Sequence, residues 1–135
     1  ISGIKVFNLG KLDKDEDIRN FYNALDLIII PSRLESFGQT ASEASSCGIP
    51  SVCFDTTGLK DIVKHKKNGW LADTFNVGKL AEGIDFFLNM NNQDYIKTCN
   101  AARLVAIEKF SYKKIAEEYI DLYKKILNQD SESGN

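Results

Sequence analysis

Two short runs constrain what this chain can fold into. Leu27 to Ile30, "LIII" ended by Pro31, is apolar at every position, and Pro50 to Phe54, "PSVCF", is nearly so. Successive side chains of a strand point to opposite faces, so a run without alternation predicts a strand covered on both sides, as in a parallel sheet. Between the two runs, Gly38 to Cys47 reads as a helix of small residues closed by Gly48. Parallel neighbours need such a crossover.

The same alternation extends both ways. "IKVFNLG", Ile4 to Gly10, is β-branched and aromatic and stops at glycine, which predicts a strand. "DEDIRNFYNALD" then places Ile18, Phe21, Tyr22 and Leu25 at helical spacing, with acidic residues in the first turn, where the helix dipole favours them. After the second apolar run, "GLKDIV" reads as a short helix, "KHKKNG" as a polar turn and "WLAD" as a brief last strand. Helices are predicted over Val77 to Met90, about Gln93 to Lys109, and Tyr112 to Leu127. The fold class is therefore α/β, a doubly wound, Rossmann-like parallel sheet with helices on both faces and extra C-terminal helices. It is predicted as one domain over residues 1–128, with the polar stretch 129–135 as a disordered tail.

Composition narrows the partners. At 135 residues and 43% hydrophobic, the chain is sized for one core. A net charge of −2 offers no general attraction to nucleic acid, so no nucleic-acid partner is expected. Cys47, Cys53 and Cys99 form no C-x-x-C pair and no cluster with His65, the only histidine, so neither a disulfide framework nor a metal site is expected, and a reducing cytoplasm fits. No apolar run is long enough for a membrane span, and "ISGIKVF" is not a signal peptide. A chain that begins almost inside a strand-like run is expected to be part of a longer protein.

Ligands of open α/β sheets bind outside the carboxyl ends of the strands. Two loops lie there, "PSRLESFG" after the first apolar run and "DTTG" after the second, and each enters a helix near a glycine, Gly38 or Gly58. Unpaired amides at two helix starts facing one crevice suit a phosphate, although every α/β domain has such termini. The carboxylates sharpen the picture. From Ser36 through Phe54 the only charged side chain is Glu43, in a chain that is 27% charged. Glu35 precedes the helix and Glu43 lies on it, so both can point toward one rim, where carboxylates accept sugar or ribose hydroxyls. Spacing alone leaves open the alternative that Glu35 caps a helix and Glu43 is solvated. His65 and Arg33 read as surface residues, Cys47 and Cys53 as small core residues, and Trp70 as an anchor for the returning chain or a platform for a base.

Taken together, Pro31-Ser32, Glu35-Ser36-Phe37-Gly38, Glu43, Cys47-Gly48-Ile49-Pro50, Thr57 to Val63 and Asn68-Gly69-Trp70-Leu71 resemble the donor-binding half of family 4 glycosyltransferases, retaining enzymes with the two-domain GT-B fold. The similarity runs from about Ile4 to Tyr123. The resemblance implies an enzyme that moves a sugar from a nucleotide-sugar to an acceptor, in cell-surface polysaccharide biosynthesis. It also implies a cytoplasmic location, with peripheral membrane association of the whole protein, and no cofactor, because the nucleotide-sugar is a substrate.

By the same resemblance Glu35 is the candidate catalytic residue, contacting donor-sugar hydroxyls without acting as a nucleophile. Glu43 would take the ribose hydroxyls, and Phe37, Gly38, Gln39 and Thr40 would complete the donor site. The family's basic grip on the diphosphate and its acceptor-binding domain have no counterpart in these residues, so this chain alone is expected to be inactive. The helix Tyr112 to Leu127 is expected to pack toward that other half. Ser36, Thr57 and Lys60 depart from the commoner glycine, glycine and proline. The competing reading is a non-catalytic α/β nucleotide-binding or interaction module. A receiver-like version needs an acidic cluster at strand ends, whereas Asp55 stands alone. A third reading, a GT-B epimerase, fits the spacing of the two glutamates less well.

Overall fold

The structure is a computed structural model that describes residues 3–132. Its centre is a parallel three-stranded sheet in the order β1 (Ile28–Ile30), β2 (Ser51–Phe54), β3 (Gly69–Ala72). Ile30 lies opposite Cys53, and Phe54 opposite Ala72. All four residues of β2 are buried, as a run without alternation requires. Helices α1 (Asp15–Asn23), α2 (Gln39–Ser46), α3 (Leu59–Ile62) and α4 (Val77–Leu88) alternate with the strands, followed by α5 (Asn92–Val105) and α6 (Tyr112–Glu132).

The period-2 pleat divides the core. Ile30 and Cys53 pack with Ala41 of α2 and with Leu59 and Ile62 of α3 on one face. Val52, Phe54, Trp70 and Ala72 pack with Leu80 and Phe87 of α4 on the other. A third cluster, of Tyr22, Ala44 and Ile49, seats α1 against α2. At the end of α2, Gly48 takes φ 75°. Its N–H donates to the Ser45 carbonyl, and the Ile49 N–H donates to the Ala44 carbonyl, each at 2.9 Å. This Schellman closure satisfies carbonyls that the helix end leaves over, and its left-handed residue favours glycine.

Three expectations change. Residues 4–10 form no strand, and Ile4, Val6, Phe7 and Leu9 are exposed. A strand is held by ladder hydrogen bonds, and no described strand lies beside this segment to supply them. Ile29 of β1 is half exposed, because β1 is an edge strand whose second face no described helix covers. The helix predicted to stop at Leu127 runs on to Glu132, and the rest of the expected disordered tail, residues 133–135, lies outside the described residues. Smaller shifts occur in the two preceding helices: α4 ends at Leu88, and α5 passes at Ala106 into a five-residue π-helical stretch ending at Phe110.

Trp70 anchors the chain, as one of its two readings held. Its indole is buried, its Nε1–H donates to the Lys79 carbonyl at 3.0 Å, and its ring packs on Phe86 with centroids 5.2 Å apart. His65 is exposed but not idle, since its Nδ1 accepts the N–H of Leu71 at 3.2 Å and covers a ladder amide on the open edge of β3. Cys53 is fully buried and Cys47 only half so.

Two outcomes test this packing. A Cβ on Gly83 of α4 would lie 2.4 Å from Trp70 Cδ1. Gly83→Ala should therefore destabilise the fold by about 1–3 kcal/mol in urea unfolding, although alanine is the better helix former. Burial, and to a lesser degree Asp55, push the Cys53 thiol up to about 12. A thiol reagent at about pH 8 should reach Cys47 and Cys99 in the folded chain and Cys53 only on unfolding. Because the folded-state value is raised, the stability Cys53 contributes as a thiol is complete below its ordinary value and is lost as pH climbs toward about 12.

Candidate functional site

Parallel strands bring the loops after β1 and β2 side by side. The two are bonded together at one residue. The Glu35 carbonyl accepts the Gly58 N–H at 3.1 Å and also the Thr57 hydroxyl, while the Glu35 N–H donates to Thr57 Oγ1 at 3.4 Å. Contact is close enough that a Cβ on Gly58 would lie 2.6 Å from the Phe37 carbonyl. The expected pair of open helix starts is thus corrected to one. The Gly58 amide is spent on Glu35, those of Lys60 and Asp61 on the carbonyls of Thr56 and Gly58, and the second loop props the first.

The α2 start is different. Gly38, at φ 88°, is the residue before the helix, and no side chain caps it. The first described bond inward is from the Ser42 N–H to the Gly38 carbonyl at 3.0 Å. The amides of the first turn therefore face the rim with no side-chain acceptor, which is the arrangement an anion uses. Thr56, at the end of β2, adds a buried hydroxyl with no hydrogen-bond partner among the described residues.

The predicted residues fall into two groups around this start. Glu35 is half-buried in the loop, and Phe37 is 49% exposed with its ring edge-on to Phe110 at 5.4 Å. Gln39, Thr40 and Glu43 cluster on the first turns of α2. The Glu43 carboxylate accepts Gln39 Nε2–H at 2.8 Å on one oxygen and the Tyr22 hydroxyl at 2.9 Å on the other. Burial first, then Glu43, raise the Tyr22 phenol well above its ordinary value, while Thr40 acts on it the other way.

Sequence reasoning missed Tyr22, which it assigned to the apolar face of α1. The signal available was a hydroxyl-bearing ring on a face meant for burial, since a buried phenol needs an acceptor. Arg33 lies over the Phe75 ring, 5.2 Å from its centroid. A cavity of about 870 Å³, lined by Lys66, Phe86, Met90 and Lys97 among others, lies at the opposite, N-terminal end of β3 and touches neither glutamate. Among the described residues no group of three or more His, Cys, Asp and Glu could hold a metal, and no helix is long and apolar enough to cross a membrane.

A parallel α/β sheet with its polar rim at the strand ends defines a domain of the doubly wound, ligand-binding class. Comparison narrows the class. The family profile "Glycosyl transferases group 1" matches residues 3–104. An uncharacterized glycosyltransferase of Methanocaldococcus jannaschii is 36% identical over 121 residues, covering 89% of this chain and 30% of that protein. D-inositol 3-phosphate glycosyltransferase of Mycobacterium leprae is 29% identical over 111 residues, covering 82% and 26%. Sucrose-phosphate synthase from Thermosynechococcus elongatus superposes with a TM-score of 0.78 at 26% identity, covering 90% and 30%. Anabaena HepE, solved in complex with UDP-glucose, gives 0.72 at 26% identity, covering 81% and 30%. The chain belongs to the group 1 glycosyltransferases, of GT-B type. It spans about 30% of the length of the first relatives it matches.

Loop contact at Gly58 is open to test. Gly58→Ala should force the β2 loop away from Phe37 and speed amide hydrogen exchange of the Gly58 N–H, with a loss of about 1–3 kcal/mol in stability. Unchanged protection of that amide would mean that the two loops are not braced there.

Proposed function

We propose that this chain is the C-terminal, donor-binding domain of a retaining family 4 glycosyltransferase, one that moves a sugar from a nucleotide-sugar to an acceptor in cell-surface polysaccharide synthesis on the cytoplasmic side of the membrane. The observation that carries the proposal is the uncapped start of α2, with Glu35 on one side and Glu43 on the other, held by a loop bonded to its neighbour. Relatives that bind UDP and UDP-glucose support a nucleotide-sugar as the donor.

In this reading the diphosphate lies against the amides of Gly38, Gln39 and Thr40, where positive helix-end dipoles offset charge that builds on the leaving group. Glu35 takes hydroxyls of the sugar, Phe37 flanks it, and Glu43 takes the ribose. The acceptor oxygen attacks the anomeric carbon from the face the diphosphate leaves, and a departing phosphate oxygen takes the acceptor's proton. Configuration is then retained without a side-chain nucleophile, and neither metal nor cofactor enters. A second domain of the parent protein supplies the acceptor, so these 135 residues alone do not turn the donor over. Tyr119, Leu122, Tyr123 and Ile126 of α6, all about half exposed, are the surface offered to that domain. The parent protein associates peripherally with the membrane.

UDP is the first probe. Titrated into the chain, it should shift the amide resonances of Gln39, Thr40 and Glu43 before any others. In the parent enzyme Glu43→Ala should weaken donor binding by about 1–3 kcal/mol, the size of lost hydrogen bonds to a charged group. Unaltered donor affinity would remove Glu43 from the ribose contact.

A further inference from the structure

Glu43 has three rotatable side-chain bonds and sits on a helix with no other charge, yet its carboxylate is held at both ends. The two holders come from different places. Gln39 is one turn back on α2 and exposed, so its bond at 2.8 Å is a local i,i+4 contact that the helix itself supplies. Tyr22 comes from α1, twenty-one positions upstream. Its ring is 5% exposed, packed with Ala44 and Ile49 and edge-on to Phe21 at 5.2 Å, so the phenol oxygen has little freedom to move.

We propose that Tyr22 is a positioning residue for the donor site: its hydroxyl, fixed in the α1–α2 core, holds the Glu43 carboxylate in the one orientation that meets two adjacent hydroxyls of a ribonucleoside. The inference rests on the reading of Glu43 as the ribose contact given above.

Donor and acceptor capacity support it. A carboxylate has roughly four acceptor sites, two on each oxygen. Tyr22 takes one on Oε2 and Gln39 one on Oε1, which leaves each oxygen able to accept one more O–H, and Glu43 is half-buried, not sealed. Two free acceptor sites on adjacent oxygens match a cis-diol, whose two hydroxyls are likewise adjacent. They match a single hydroxyl, or a deoxyribose, poorly. Because burial and Glu43 both raise the phenol, it stays protonated at any working pH and remains a donor. With Tyr22 absent, the carboxylate keeps only the exposed Gln39 amide and can rotate away, so part of the binding free energy goes to re-ordering it. The phenol's place in the core and its role at the rim are therefore separable: the ring does the first and the oxygen the second.

The test compares UDP with 2′,3′-dideoxy-UDP, which lacks the diol, by calorimetric titration of the parent enzyme and its variants. The unsubstituted enzyme should bind UDP more tightly than the dideoxy analogue. Tyr22→Phe keeps the ring, and thermal unfolding checks that the fold survives. It should weaken UDP about three- to tenfold, the effect of one hydrogen bond, while dideoxy-UDP changes less than about twofold. In a Glu43→Ala background the same substitution should change UDP affinity no further, since the group it orients is gone. Equal weakening of both nucleotides by Tyr22→Phe would mean a general structural role and would overturn the proposal, as would unchanged UDP affinity. If the unsubstituted parent enzyme binds both nucleotides alike, the ribose reading of Glu43 fails first and takes this inference with it; that outcome is seen without any substitution at Tyr22.

Discussion

Everything else in the structure hangs on β2 being buried on both faces and bonded along both edges. Ser51 to Phe54 pair with β1 on one side and β3 on the other, so their backbone groups are satisfied without water. Their side chains then serve two separate cores, Cys53 toward α2 and α3, Val52 and Phe54 toward α4. The strand's one polar side chain, the Ser51 hydroxyl, is buried without a hydrogen-bond partner among the described residues. The strand also sets the direction of its neighbours, and three parallel strands deliver all their outgoing loops to one end of the sheet.

That end is where the polar chemistry collects, for a reason that follows from the packing. Burying a polar group without a partner is costly, whereas the strand ends open into loops and helix starts. At Glu35 the backbone joins two of those loops, and at Gly58 the lack of a side chain lets them touch. The start of α2 is left without a cap at the centre of this braced rim. An uncapped helix start forgoes stability that Ser, Thr, Asp or Asn before the first turn would supply. A domain that presents those amides to an anion recovers that stability when the anion binds.

Much of this was legible in the residues. The unalternated run at β2, the helix over Gly38 to Cys47 and its closure at Gly48 were readable because each depends on local geometry and a repeating pattern. Glu43 stood out through the absence of other charge from Ser36 to Phe54, and Glu35 through its place in the loop before the helix. What failed were segments whose state depends on a neighbour. Residues 4–10 carry the composition of a strand, but composition cannot supply a ladder partner. Ile29 belongs to a run that looks buried, yet an edge position leaves it half open. His65 is exposed as its sequence position suggested, but only the edge of β3 gives its ring nitrogen an amide to accept.

The sequence by itself determined a parallel α/β domain with an acidic pair beside a helix start, and its motifs carried the resemblance to glycosyltransferases. Periodicity, glycine placement and motif spacing act over a few residues, and a linear reading sees them whole. Only the tertiary structure decided that Tyr22 reaches Glu43, that Thr57 and Gly58 bind Glu35, and that one helix start is open while the other is not. Those contacts join residues about twenty positions apart, where a hydrogen bond depends on how whole elements pack, and no local pattern in the chain encodes that packing.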